Sequence, residues 1–434
     1  MKRHWKSHVT EFRSNRGSRS RGAAIGTAVA VLLAVTSCGS DSSSATSNRS
    51  ATSLPSSGPA TVPTEPAQSG PATTALPSTT ATASGADPAL LQGPLPESAI
   101  DQPTAARLQA VLDEVVSGGA PDAIAAVITA NGAWEGAAGV DGPDGRAAAA
   151  DDEFAIASIS KTFTAALIMK LAEQGKIDLN APLASYLEGV DADANDATAE
   201  QAMAMRGGFG DTASTVFDEV YADPSRVWTT ADVVAKIGPP LTPAGTEYHY
   251  SNPGYKLLGI AVEHVTGKTL ATAMGEAVLD PVSATGIVMQ DADHLTPEPW
   301  ALPLKGAEGP LDLAAYGQGG ALPCLSDATF SLNAAGMASD ASSLARWAWL
   351  LFSGQIIQDQ SLATMMTFDS DGYGLGVDRI PDFGPTAYGF AGHKPGYASV
   401  LTVLPDRKAV VVVFINNQDG DVFAVAGKLL EALQ

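Results

Sequence analysis

The stretch FAIASISKTFTAALIMKLAEQGK, residues 154–176, decides how the rest of the chain is read. It opens as an apolar, strand-like entry at Phe154 and passes into a long amphipathic helix that stops at Gly175. Ser158 and Lys161 sit where the apolar run becomes the helix. Residues three apart on a helix share one face, so the hydroxyl and the amine can touch. A serine hydroxyl is a poor nucleophile until a base takes its proton, and a lysine serves only when burial or a nearby cation leaves it neutral. The positive end of the helix dipole would favour negative charge arising there during acyl transfer. Ser158 is the only serine standing three residues before any lysine in this chain. The bland alternative is an exposed serine and lysine on a helix surface.

Working outward, PTAARLQAVLDEVV (103–116) has helical spacing of Leu108, Val111, Leu112 and Val115, with Gly118-Gly119 as a stop. Ile124–Ala130 and Trp134–Val140 flank Asn131-Gly132 and predict a hairpin. Near the other end, Ala398–Leu404 and Ala409–Ile415 are Val-rich runs joined by Pro405-Asp406-Arg407, and Val422–Leu433 predicts a closing helix. Strands at both ends imply an α/β (α+β) fold whose sheet is completed by the C-terminal strands. Residues 180–350 predict an inserted, mostly helical lobe. Within it, residues 209–240 and 289–330 predict rim loops.

A second cluster of chemistry, Tyr250-Ser251-Asn252, follows the turn Pro243-Ala244-Gly245 and precedes a helix-like segment. A phenol beside an ammonium has a depressed pKa and can shuttle a proton, while an asparagine can hold a lysine and bind a substrate amide. Taken alone, the cluster reads equally well as a buried tyrosine before a helix.

Together, FAIASISKTF, LAEQGKIDL, PAGTEYHYSN, AAGMASDASSLARW and Tyr373-Gly-Leu-Gly resemble the serine β-lactamase/penicillin-binding-protein superfamily. The nearest branch holds class C β-lactamases, DD-carboxypeptidases and related esterases. The resemblance covers about residues 103–434 in unbroken order, and several co-linear motifs make it specific. It implies an antiparallel sheet flanked by helices, a helical lobe, and an active site between them. It also implies Ser158 as the acylated nucleophile, Lys161 and Tyr250 as the base system, and Asn252 as a contact to substrate and lysine.

Two stretches depart from the family pattern. Where relatives carry K-T-G or H-x-G, this chain has Gly392-His393-Lys394-Pro395-Gly396-Tyr397. Either Pro395 replaces the glycine, or about three residues are missing before a P-G-Y-x-S turn; a proline cannot donate a strand hydrogen bond. His393 is expected to assist protonation or orient the substrate, or to be a loop residue without a role. Lys394 is a candidate counter-ion for a substrate carboxylate. Met205-Arg-Gly-Gly208 stands where many relatives have H-T-S-G, which puts the usual specificity in question.

Composition narrows the remaining classes. The 434 residues carry a net charge of −22, and removing the first 37, seven of them basic and one acidic, leaves −28. So acidic a body has no electrostatic footprint for nucleic acid. Two cysteines, Cys38 and Cys324, exclude a disulfide framework, and six histidines leave little material for a metal site, so no cofactor and no metal are expected. Cys324 is expected to be an inert thiol.

Residues 1–37 join a basic opening to a 14-residue apolar run, Ala23–Thr36, which is too short to span a bilayer and fits an export signal peptide. The run ends Val35-Thr36-Ser37-Cys38, which resembles the bacterial lipoprotein box and implies lipid on Cys38; an ordinary secretory signal is the alternative. From Gly39 to Ala86, 40 of 48 residues are Ser, Thr, Pro, Ala or Gly, so residues 38–97 predict a disordered tether. Residues 98–434 then form the folded hydrolase domain, lipid-anchored to the cell membrane and facing the extracytoplasmic envelope.

The function expected is a serine hydrolase acting through an acyl-enzyme on a D-Ala peptide, β-lactam or ester carbonyl. A carboxypeptidase- or esterase-like activity is favoured over an efficient lactamase. The alternative is a binding or regulatory lipoprotein that keeps the fold without turnover.

Overall fold

The computed structural model describes residues 90–141, 145–291, 324–417 and 419–434, together with the backbone of 304–305 and 309–310. The segment read as a signal peptide, Cys38 and most of the stretch read as a tether lie outside the described residues. In chain order the elements are α1 (Gln102–Ser117), β1 (Asp122–Thr129), β2 (Gly132–Asp141), β3 (Arg146–Ala147), β4 (Phe154–Ala155) and α2 (Ser160–Glu173). Then come α3 (Ala199–Met203), α4 (Ser214–Ala222), α5 (Thr230–Val234), α6 (Asn252–Thr266), α7 (Leu270–Met274), β5 (Ile287–Met289) and the ribbon β6 (Leu304–Lys305) and β7 (Gly309–Pro310). The last third holds α8 (Leu325–Ala335), β8 (Met337–Ser339), α9 (Ala341–Phe352), α10 (Asp359–Met365), β9 (Asp378–Arg379), β10 (Tyr388–Lys394), β11 (Tyr397–Leu404), β12 (Ala409–Ile415) and α11 (Val422–Ala432).

One seven-stranded sheet, ordered β3-β2-β1-β12-β11-β10-β9, joins the two sequence ends, and every neighbouring pair is antiparallel. The run AVVVVFI of β12 is continuously apolar because both its faces are covered. Val410, Val412 and Phe414 pack towards the helical lobe, whereas Val411, Val413 and Ile415 pack with α1 and α11. This two-residue alternation is what a pleated strand imposes, and it fixes the register from within the core. A second sheet, β4-β8-β5, ties the entry to α2 into the lobe.

The architecture is the α/β one expected, with an antiparallel sheet from both ends of the chain and an inserted lobe. Two expectations need correcting. Residues 209–240 and 289–330 are not only rim loops, since α4, α5, the ribbon β6–β7 and the first turns of α8 fall within them. Residues 90–97, read from composition as the end of the tether, lie against the domain: Leu91 is buried and its N–H donates to Phe352 O, while Trp349 Nε1 donates to Gly93 O.

Candidate active site

Ser158 lies on a single 3₁₀ turn, Ala157–Ile159, immediately before α2. Ala157 has φ +47°, a left-handed conformation that costs a residue with a Cβ roughly 1–2 kcal/mol. Neighbouring contacts hold it there. Ser160 Oγ donates to Ala157 O at 2.6 Å and accepts from Met337 N of β8. On the other side β10 presses against the turn at Gly392, where a Cβ would stand 2.1 Å from Ile156 O. Ser399, opposite Gly392 on β11, donates its Oγ to the same carbonyl at 3.0 Å. The N–H of Ser158 is among those that a helix start leaves without an internal acceptor.

Lys161 is fully buried on the first turn of α2. Its Nζ donates to Asn252 Oδ1 at 2.7 Å and to Ala334 O at 2.8 Å, and stands 3.2 Å from Ser158 Oγ. The orientation of the Asn252 amide follows from its other end, since Nδ2 donates to Asp211 Oδ1 at 2.8 Å and so only Oδ1 can face the lysine. A neutral amine has two N–H groups and one lone pair. The two acceptors use both N–H groups, which leaves the lone pair for the Ser158 hydroxyl. Burial pulls Lys161 down to about 7, with Asp211 opposing and Lys394 assisting. Both the charged and the neutral form of the lysine are therefore available near pH 7.

Tyr250 OH is 2.7 Å from Ser158 Oγ. The depressed phenol pKa expected from its lysine neighbour is not what the structure shows. Desolvation holds the phenol well above its usual value, outweighing the Ser158 hydrogen bond, and Asp211 pushes in the same direction. Tyr250 consequently rests protonated, and of the pair only Lys161 has a pKa low enough for a resting base.

The segments behind these side chains explain their positions. Ser251 caps α6, its Oγ accepting from Gly254 N and donating to Gly210 O, so the loop 205–211 is fastened beneath the tyrosine cluster. That loop is the Met205-Arg-Gly-Gly208 departure. Arg206 binds Asp369 at 2.6 Å and Asp371 at 2.6 Å, and the loop delivers Asp211 onto Asn252. Tyr373-Gly-Leu-Gly376 backs the start of α2, where Thr162 Oγ1 donates to Gly376 O and a Cβ on Gly376 would meet Lys161 O at 2.7 Å.

The sheet side of the cleft differs from expectation. β10 ends at Lys394 and a two-residue turn, Pro395-Gly396, leads into β11 with Lys394 opposite Tyr397, so the shortened P-G-Y turn is the alternative realised. Lys394 is buried and forms an ion pair with Asp327 of α8 at 2.5 Å, and it also donates to Ala335 O at 3.0 Å. It is thus committed inside the protein and is not free to meet a substrate carboxylate. His393 pairs with Ala398, and Ala398 and Ala391 both pack in the layer of α1 and α11. Strand alternation therefore sets His393 on the sheet face opposite to Gly392 and the nucleophile turn. Cys324, the N-cap residue of α8, is buried, and burial raises its thiol pKa.

The structure thus brings Ser158, Lys161, Tyr250 and Asn252 into one hydrogen-bonded group and leaves His393 and Lys394 out of it. Sequence reading did not find Asp211, Asp327 or the carbonyls of Ala334 and Ala335. Main-chain acceptors have no sequence signature, and a lone acid in a loop or on a helix has none either.

A model of the Beta-lactamase family matches residues 98–434. Among solved structures, a D-stereospecific amidohydrolase from Streptomyces sp. is 23% identical, with 76% of this chain and 98% of that chain covered and a TM-score of 0.59. D-amino acid amidase from Ochrobactrum anthropi SV3 is 20% identical over 76% and 98%, with a TM-score of 0.63. A penicillin binding protein from Bacillus halodurans is 20% identical over 75% and 98%, with a TM-score of 0.60. At these identities the solved structures speak for the fold, whereas the family match spans the whole described domain. The chain belongs to the beta-lactamase family of serine hydrolases.

Proposed function

We propose that this protein cleaves an amide bond through an acyl-enzyme on Ser158, and that it does so outside the cell membrane, tethered by lipid on Cys38. The observation that carries the chemistry is the environment of Lys161, whose two N–H groups meet Asn252 Oδ1 and Ala334 O while Ser158 Oγ takes the third direction at 3.2 Å. The neutral amine takes the serine proton as Oγ attacks the carbonyl carbon. The oxyanion forms beside the Ser158 N–H and the outer edge of β10. When the tetrahedral adduct collapses, the leaving nitrogen takes the phenol proton of Tyr250, which recovers one from the Lys161 ammonium. Water then attacks the acyl ester, and the same groups pass the proton in the reverse sense, freeing Ser158.

For the substrate, we favour an amide without a carboxylate beside the scissile bond over a C-terminal peptide. Lys394, the cation a carboxylate would need on β10, is held by Asp327. Asp211 is exposed and binds Asn252 through one oxygen, which places negative charge at the same mouth. That charge opposes an anionic substrate and suits one carrying an amine, as the D-amino acid amides of the related amidases do. The export and lipid-anchor reading is supported by the basic opening, the short apolar run and Cys38.

The test has two arms. A fluorophosphonate probe should label the wild type stoichiometrically and leave Ser158→Ala unlabelled; a folded wild type that stays unlabelled would favour the non-catalytic binding reading. Ammonia release from D-phenylalanine amide is then compared with D-alanine release from a dipeptide-terminated substrate and with nitrocefin hydrolysis. Preference for the carboxylate-terminated dipeptide would overturn the amide assignment.

A further inference from the structure

The last carbonyls of α8 do the work of a template. Asn333 O accepts from Thr164 Oγ1 of α2 at 2.9 Å, Ala334 O from Lys161 Nζ at 2.8 Å, and Ala335 O from Lys394 Nζ at 3.0 Å. A helix end leaves such carbonyls without internal partners, and here three in a row meet groups of the cleft walls. They do so because the chain bends at Leu332, which has φ +46° and ψ −144°. An L residue keeps that conformation only where its surroundings hold it.

The side chain of Asn333, the residue after the bend, supplies such a hold. It is fully buried, and its Nδ2 donates to Tyr255 O, in the first half of α6, at 2.5 Å. Its Oδ1 has no hydrogen-bond partner among the described residues and lies against Gly259 of α6, where a Cβ would stand 2.3 Å from that oxygen and 2.7 Å from Cγ. A buried amide oxygen without a donor is unfavourable, so packing alone would be served better by leucine. What asparagine adds is the bond from Nδ2. Gly259 is the opening that lets the amide reach the α6 backbone.

The consequence falls on Lys161. Its two acceptors come from separate elements, Asn252 Oδ1 from the start of α6 and Ala334 O from the end of α8. Asn333 stands next to Ala334 and is bonded through its side chain to α6 and through its carbonyl to α2. We propose that Asn333 is a positioning residue for the reaction: its amide clasps the bent end of α8 to α6, with Gly259 making room, so that both acceptors stand together on Lys161 and leave its third direction to Ser158. The proposal rests on the serine-hydrolase reading above.

The experiment compares Asn333→Ala, Asn333→Leu, Gly259→Ala and the double variant Gly259→Ala/Asn333→Ala with the wild type in the full chain. One readout is fluorophosphonate labelling across pH, resolved into the maximal rate and the half-saturating probe concentration. A second, independent of turnover, is the ¹³Cε resonance of Lys161 in ¹³C-lysine-labelled protein, assigned with Lys161→Arg. Asn333→Ala should lower the maximal rate by about tenfold, since a small misplacement of the base is costly, and leave half-saturation within about twofold. Asn333→Leu, which fills the space but cannot donate, should do the same. The Lys161 midpoint should fall by about half a pH unit or more, because a carbonyl hydrogen bond favours the charged amine. Gly259→Ala should match Asn333→Ala by driving the amide off Tyr255 O, and the double variant should lose no more than Asn333→Ala alone, since the methyl then enters vacated space. A maximal rate within about twofold of wild type in Asn333→Ala or Asn333→Leu, an unmoved Lys161 midpoint, or losses that multiply in the double variant would overturn the proposal. Should Asn333→Ala lose its cooperative thermal transition, Asn333→Leu and Gly259→Ala are read in its place. If wild type is never labelled, the hydrolase reading fails by itself, and the Lys161 resonance still decides whether Asn333 positions that amine.

Discussion

On the helical wall of the cleft, Lys161 hydrogen-bonds only to neutral oxygens, Asn252 Oδ1, Ala334 O and Ser158 Oγ, and burial pulls it down to about 7. On the sheet wall, Lys394 is also buried but meets the Asp327 carboxylate, which Tyr221 OH and Ser331 Oγ also address. The two residues have the same side chain and similar burial but opposite roles. What separates them is a single carboxylate. A buried amine among neutral acceptors remains available to a neighbouring hydroxyl, whereas a buried amine beside an anion is committed to an ion pair. The helical wall therefore gathers the hydroxyl, the amine and the phenol into one hydrogen-bonded group, and the sheet wall supplies shape and a backbone edge.

The first way to break this comparison is Ser158→Ala, which should lower turnover by about 10⁴-fold or more while leaving the thermal midpoint within a few degrees. A loss under about tenfold, measured on the best amide, would mean that the hydroxyl is not the nucleophile. Tyr250→Phe should cost about 10³-fold on amides but much less on an activated ester, because a good leaving group does not need the phenol proton. Equal losses on both substrates would remove Tyr250 as the proton donor.

On the sheet wall, Asp327→Asn leaves the Lys394 charge buried without its partner and should destabilise the fold by about 3–5 kcal/mol, read by denaturant unfolding. Adding Lys394→Met to that variant should recover much of the loss. If Lys394→Met instead weakens binding of carboxylate substrates without affecting stability, the two walls are not divided as described. Gly392→Ala forces a Cβ to within 2.1 Å of Ile156 O and should cost about 2 kcal/mol of stability, together with part of the activity, by shifting the nucleophile turn. The smallest expected effect is in pH. Only the unprotonated form of Lys161 is active, so kcat/KM should rise about tenfold per unit below about 7 and level off above it. A flat profile across that range would sink the base assignment.

Much of the fold was legible because its signals are local. Helix α1, hairpin β1–β2, strands β11 and β12 and helix α11 all begin and end within a few residues of the periodic runs that predict them. The tight turn at Pro395-Gly396 was legible only as one of two alternatives, since the choice depended on whether Lys394 would face Tyr397 across a hairpin. Helices α4 and α5 went unseen: α5 is five residues long, and both lie in a stretch rich in turn formers. Leu332, with φ +46° and ψ −144° inside α8, could not have been foreseen, yet the kink falls two residues before the carbonyl that holds Lys161.

From its amino acids alone, this chain specified the period of its core strands, the pairing of Ser158 with Lys161 one turn away, and the family motifs. Each of these depends on neighbours within a few positions. The tertiary structure alone decided which lysine is free and which is bound. Asp327 reaches Lys394 across 67 residues, and Ala334 reaches Lys161 across 173. Charge state in an interior is set by whichever oxygen arrives through space, and that cannot be read from the order of residues along the chain.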